Sequence, residues 1–172
     1  MTWRPPFAAR GATARPATRV AGIGVEDRGD DAAGLLVARL VRAAAPPGVD
    51  VVECPGDAGA LLELMDGASR LVLVDAARGG RPGSVERLPL GEIPPAPARS
   101  THGMGLAEAL GVAAGLGVLP ADVRVYVVHG QRFDAGPVSP EVMAGVRKAA
   151  RLVLQDEPRS ADGGRGDSDR AG

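Results

Sequence analysis

Aromatic side chains are almost missing from this chain: one Trp, one Tyr and two Phe, 2% of 172 residues. A core without large rings must be filled by Val, Leu, Ala and Ile, which suits parallel strands buried beneath helices. At this length, with 45% hydrophobic residues, one domain with a sizeable core is expected. Cysteine is scarce as well. Cys54 stands alone, which excludes an internal disulfide and a CxxC metal knuckle and favours a reducing cytoplasm. No apolar run approaches the roughly 20 residues of a membrane span. The N-terminus lacks the apolar stretch of a secretory signal. Charge of one sign is absent too, with Lys+Arg 20 against Asp+Glu 21, so no global field draws in nucleic acid or anionic lipid. Lys148 is the only lysine, which reads as coding bias rather than guanidinium-specific recognition. These absences describe a soluble cytoplasmic protein with neither nucleic-acid nor membrane partners, expected as a monomer.

Several familiar motifs are missing in turn. Gly22-Ile-Gly24 followed by Gly29 lacks dinucleotide G-x-G-x-x-G spacing, and the nearby carboxylates would repel a pyrophosphate. There is no phosphate-binding G-x-x-x-x-G-K-[ST] loop and no nucleophile elbow for Ser-His-Asp chemistry. Cys54 sits beside Pro55 with no histidine near in sequence.

What is present alternates. Residues 1–18, with several Pro, Arg and Ala, read as a disordered leader, and residues 157–172 as a disordered tail. Between them, 19–156 form a single domain. Arg19–Ile23 is a first strand, and a helix capped by Asp31 or a near neighbour runs to about Ala45. Val49–Glu53 is a second strand and Ala58–Met65 a helix. Leu71–Val74 is a buried strand ending on Asp75. Ser84–Leu88 alternates like an edge strand, which antiparallel pairing would suit. Proline-rich Pro89–Ser100 is a loop. Leu106–Leu116 is a helix and Val123–Val128 a strand. Ser139 caps a last helix that opens at Pro140 and runs to about Gln155. The order β-α-β-α-β-β-α-β-α predicts an α/β fold, a three-layer αβα sandwich over a mostly parallel twisted sheet of about five strands.

In such a sheet, ligands bind beyond the carboxyl ends of the strands. Three clusters fall there: the acidic turn from Glu26 to Asp31, Asp75, and His102 in Ser100-Thr-His-Gly-Met-Gly105. Two carboxylates and an imidazole make a hard-to-borderline donor set that suits a divalent ion such as Ni²⁺ or Zn²⁺. Each has a plainer reading. Asp31 reads equally as a helix cap, Asp75 as a turn residue and His102 as a loop histidine. His129 reads as a satisfied residue at the core's edge.

Taken in series, the motifs resemble the hydrogenase maturation proteases, endopeptidases that trim the C-terminus of nickel-iron hydrogenase large subunits. The resemblance rests on Gly22-Ile-Gly24 through Asp30-Asp31-Ala-Ala-Gly34 and on Val74-Asp75-Ala76 with Pro82-Gly83. It rests also on Ser100-Thr-His102-Gly-Met-Gly-Leu106 and Val138-Ser139-Pro140-Glu141-Val142. It implies an αβα fold and a nickel-binding trio of Asp31, Asp75 and His102. It also implies a hydrogenase large-subunit precursor as partner, with nickel carried by that precursor as a recognition handle. Asp31 or Asp30 would then serve as general base. The chain departs from the family pattern at Val25, where an Asn is usual, and at Glu26 and Asp27, where apolar residues are usual. A non-catalytic nickel-sensing chaperone of the same fold is the alternative, and a small nucleotide or phosphate binder a third.

Overall fold

The computed structural model describes residues 18–44, 46–93 and 105–156. Residues 1–17, most of the expected leader, and the expected tail from 157 lie outside these, as does His102. Five strands and four helices follow one another: β1 (Thr18–Ile23), α1 (Ala33–Ala44), β2 (Val49–Cys54), α2 (Ala58–Met65), β3 (Arg70–Ala77), β4 (Val85–Leu88), α3 (Leu106–Leu116), β5 (Asp122–His129) and α4 (Pro140–Asp156). Short 3₁₀ turns occupy Gly29–Ala32 and Leu90–Glu92.

The strands order as β2-β1-β3-β5-β4. All pairs are parallel except β4 against β5, so Val85–Leu88 is the antiparallel edge. The alternation of side chains divides the core in two. Val20, Val72, Val74 and Val128 face α1 and α4, while Ala21, Leu71, Leu73 and Val125 face α2 and α3. This is the expected three-layer sandwich, packed with small aliphatic residues because rings are so few.

Two glycines decide how closely α1 lies on the sheet. A Cβ on Gly22 would stand 2.1 Å from the Gly34 carbonyl oxygen, and one on Gly34 would stand 2.2 Å from that of Ile23 and 2.4 Å from that of Val74. Backbone meets backbone there, leaving no room for a side chain.

Three local expectations change. Asp31 does not cap α1: a 3₁₀ turn carrying Asp30 and Asp31 precedes the helix, and neither residue stands at its start. β3 does not end on Asp75. It continues to Ala77 because Asp75, Ala76 and Ala77 pair with Val127, Val128 and His129 of the longer β5. β1 also begins a residue earlier than expected, since Thr18 is 4% exposed and paired with both Val49 and Arg70.

Leaving β1, the chain crosses through α1 to β2 on one side. It then returns through α2 to β3 on the other. The gap between the carboxyl ends of β1 and β3 is therefore the topological switch point, where open α/β sheets place their ligands.

Candidate active site

A cleft of about 480 Å³ opens at that switch point. Asp31, from the turn after β1, and Asp75, near the end of β3, both line it. So do Arg28, Arg78 and Phe133, over an apolar floor that includes Ile23, Leu61 and Val125. Ile93 and Gly105, the described residues that flank the segment bearing His102, also line the cleft.

The Val25 N–H donates to Asp31 Oδ2 at 3.0 Å, so the turn folds back on the carboxylate that it carries. Asp31 Oδ1 has no hydrogen-bond partner among the described residues. Asp75 Oδ1 accepts the N–H of Ala76 at 2.7 Å. Burial pushes the Asp75 carboxyl up to about 7; the Ala76 N–H pulls it down, and the like charge of Asp31 pushes it further up. A half-buried carboxyl beside a second carboxylate is a donor pair that a cation would relieve. Among the described residues no group of three or more His, Cys, Asp and Glu stands ready for a metal. The described cleft supplies two of the three expected ligands.

Asp30 is not in the cleft. It is fully buried, and both of its oxygens are engaged. Oδ2 accepts the N–H groups of Gln131 and Arg132, each at 2.9 Å. Oδ1 accepts the N–H of Ser139 at 2.8 Å and its hydroxyl at 2.7 Å. Burial alone would raise this carboxyl, but the N–H groups of Arg132, Ser139 and Gln131, with the Ser139 hydroxyl, outweigh it and hold it below the usual carboxylate range. Backbone bonds complete the seam: Asp30 N–H to Arg132 O at 2.7 Å, Gly29 N–H to Gly136 O at 2.9 Å, and Gly136 N–H to Asp27 O at 3.0 Å. Asp30 thus fastens the acidic turn to the loop before α4, and a carboxylate without solvent or free lone pairs is not placed to activate water. Ser139, expected as a helix cap, gives its hydroxyl to Asp30.

The unusual turn residues have structural work. Asp27 is the only non-glycine described in the left-handed region (φ 58°), a conformation Asp tolerates better than most. Glu26 pairs with Arg39 at 2.6 Å, and Arg39 and Arg42 both grip Glu53 at 2.7 Å. Cys54 is buried, and burial pushes its thiol up. His129 Nε2 stands 3.2 Å from Glu86, but its buried Nδ1 has no hydrogen-bond partner among the described residues. The ring is only partly satisfied, Gly80 packs directly against it, and it does not line the cleft.

Arg28, Arg78 and Phe133 escape the sequence reading. Arg78 directly follows β3, so the strand-end rule that singles out Asp75 reaches it too. Phe133 is one of only two phenylalanines, and a scarce ring in a loop after a central strand is a signal.

The family profile of HycI, described as hydrogenase maturation protease, matches residues 35–156. The chain belongs to the hydrogenase maturation proteases. The matched stretch holds Asp75 and His102 and begins just after Asp31. Solved structures of the family agree. The NiFe hydrogenase maturation protease HycI from Thermococcus kodakarensis is 25% identical with a TM-score of 0.63, covering 81% of this chain and 91% of that one. The hydrogenase 2 maturation peptidase from a Thaumarchaeota archaeon is 26% identical with a TM-score of 0.58, covering 80% and 95%. The maturating endopeptidase HybD from E. coli, at 22% identity and a TM-score of 0.63 over 80% and 90%, shares the fold. No curated protein matches the sequence. No described helix is long and apolar enough to cross a membrane.

Proposed function

We propose that this maturation protease removes the C-terminal extension of a nickel-iron hydrogenase large-subunit precursor after nickel has been inserted. Nickel is part of the substrate in this reading, and Asp31, Asp75 and His102 are the residues that take hold of it. The observation that carries the reading is the convergence of Asp31 and Asp75, from the ends of two neighbouring central strands, in one cleft at the switch point. Two oxygen donors, with a histidine to complete them, suit a borderline divalent ion.

Gripping the precursor through its metal fixes the scissile peptide bond against the cleft wall. Positioning of that kind supplies several kcal/mol of barrier lowering, on the order of 7 or more when alignment is good. The bound ion contributes positive charge near the scissile carbonyl. Asp31 is the candidate base: Oδ2 is anchored on Val25, and whatever lone pair of the carboxylate the metal leaves unused accepts a proton from water. Asp30 serves as its support, because its four bonds set where the Asp31 backbone lies.

Incubation of the purified protein with nickel-loaded and nickel-free precursor, followed by mass analysis of the products, tests the reading. Shortening of the loaded form alone is expected. Binding of the loaded form without any cleavage would instead establish a nickel-sensing checkpoint protein.

A further inference from the structure

Most guanidinium groups whose side chains lie against the fold have a carboxylate partner. Arg19 pairs with Asp50, Arg39 and Arg42 with Glu53, and Arg70 and Arg124 with Asp122. Arg28 and Arg78 are exposed, like Arg81, Arg132, Arg147 and Arg151, and like them make no ion pair among the described residues, but these two line the cleft with Asp31 and Asp75. The sequence between the cleft-lining Ile93 and Gly105 contains neither Asp nor Glu.

Arg78 makes one side-chain contact among the described residues. Its guanidinium carbon stands 4.1 Å from the centroid of the Phe133 ring, within the range of a cation–π contact. Phe133 in turn belongs to the loop that the buried Asp30 clasps through Gln131, Arg132 and Ser139. A Cβ on Gly130 would come within 3.1 Å of the ring and 2.6 Å of Asp30, so ring and clasp pack as one unit. The guanidinium lies over the ring, and among the described residues its N–H groups make no hydrogen bond or ion pair. Their fork matches a planar, bidentate acceptor.

We propose that Arg78, backed by Phe133 and helped by Arg28, is a specificity-determining residue that takes a carboxylate of the precursor peptide near its scissile bond. The proposal rests on the trimming reading above and adds what the cleft selects besides nickel. Asp31 and Asp75 are taken up by the nickel in that reading, so the arginine side is where an acidic peptide group settles. The carboxylate comes from an acidic side chain beside the scissile bond or from the C-terminus of the extension.

The test compares wild-type protein with Arg78→Met, which keeps the stem but loses charge, and Arg78→Lys, which keeps charge but loses the fork. Substrates are the nickel-loaded precursor and variants in which each Asp or Glu near the cleavage point becomes its amide. A further precursor carries an extension lengthened by a neutral linker, which moves its terminal carboxylate away. Arg78→Met is expected to raise KM roughly tenfold or more with the loss falling in KM rather than kcat, and Arg78→Lys to recover part of it. One precursor variant should show the same loss with wild-type protein and no further loss with Arg78→Met. An amide variant doing so assigns a side chain; the lengthened extension doing so assigns the terminus. If Arg78→Met trims with wild-type KM, or its loss is the same for every precursor, the proposal is overturned while trimming stands. If wild-type protein does not trim the loaded precursor at all, the parent reading falls and this one with it.

Discussion

At Asp30, four donors converge on a carboxylate that solvent does not reach. Its ionised form is the one that they stabilise, so its pKa is depressed on folding. The stability this contributes is fully present above the ordinary carboxylate range and is lost as pH falls through the lower folded value. Asp30→Asn turns an amide NH₂ toward N–H groups that need an acceptor. Chemical denaturation at pH 7 should show a loss of about 3 kcal/mol, and the variant should lack the wild-type drop in stability below pH 4. Asp75 has the opposite sign. Its carboxyl is raised to about 7, so the folded state holds a proton that the unfolded chain releases. Wild-type stability therefore falls as pH rises from about 4 to about 7, and the cost is complete above 7. Asp75→Asn keeps the acceptor for the Ala76 N–H and removes the charge. It should be more stable than wild type to chemical denaturation at pH 8, by on the order of 2 kcal/mol or more, with the gain shrinking toward pH 4. A raised carboxyl that lines a cleft is a candidate site group. Little of this pair's contrast is legible in the sequence. Asp30 and Asp31 are adjacent and alike, and the partner that separates them, Ser139, is 109 residues away.

The elements themselves are easier to read. Runs such as Leu71–Val74 are apolar at every position, and only a strand covered on both faces accepts that. Boundaries are harder: Asp75-Ala76-Ala77 looks like the start of a loop, yet pairing with Val127–His129 keeps it extended. The start of α1 departs from the pattern because an acidic residue before an apolar stripe signals a cap, whereas Asp31 bonds backward to Val25. The contact of α1 with the sheet depends on Gly22 and Gly34, whose spacing only hints at close approach. Gly34→Ala would place a methyl group 2.2 Å from the Ile23 carbonyl oxygen. The helix must then move off β1 and β3. A loss of about 3 kcal/mol in urea unfolding is expected, together with weaker substrate binding, since the turn bearing Asp31 moves with the helix. Wild-type stability for Gly34→Ala would contradict this account of the packing.

Across the whole molecule, the fold brings the ends of β1 and β3 together at the point where the crossovers diverge, and Asp31 and Asp75 meet there. The acidic turn alone reads as a cap or a generic cation site. Placed beside Asp75 at the switch point, in a chain that belongs to the hydrogenase maturation proteases, it is one side of the cleft proposed to take the substrate. The departures at Glu26 and Asp27 are absorbed by Arg39 and by a left-handed turn, and Val25 retains the backbone bond to Asp31. The turn is therefore built, not degraded. The most direct measurement is the mass of the hydrogenase polypeptide after nickel-loaded precursor meets wild-type, Asp31→Ala, Asp75→Asn and His102→Ala proteins. The account predicts a product shortened at its C-terminus with wild type and an intact precursor with all three variants, each still folded by circular dichroism. Wild-type trimming by any one of the three would contradict it.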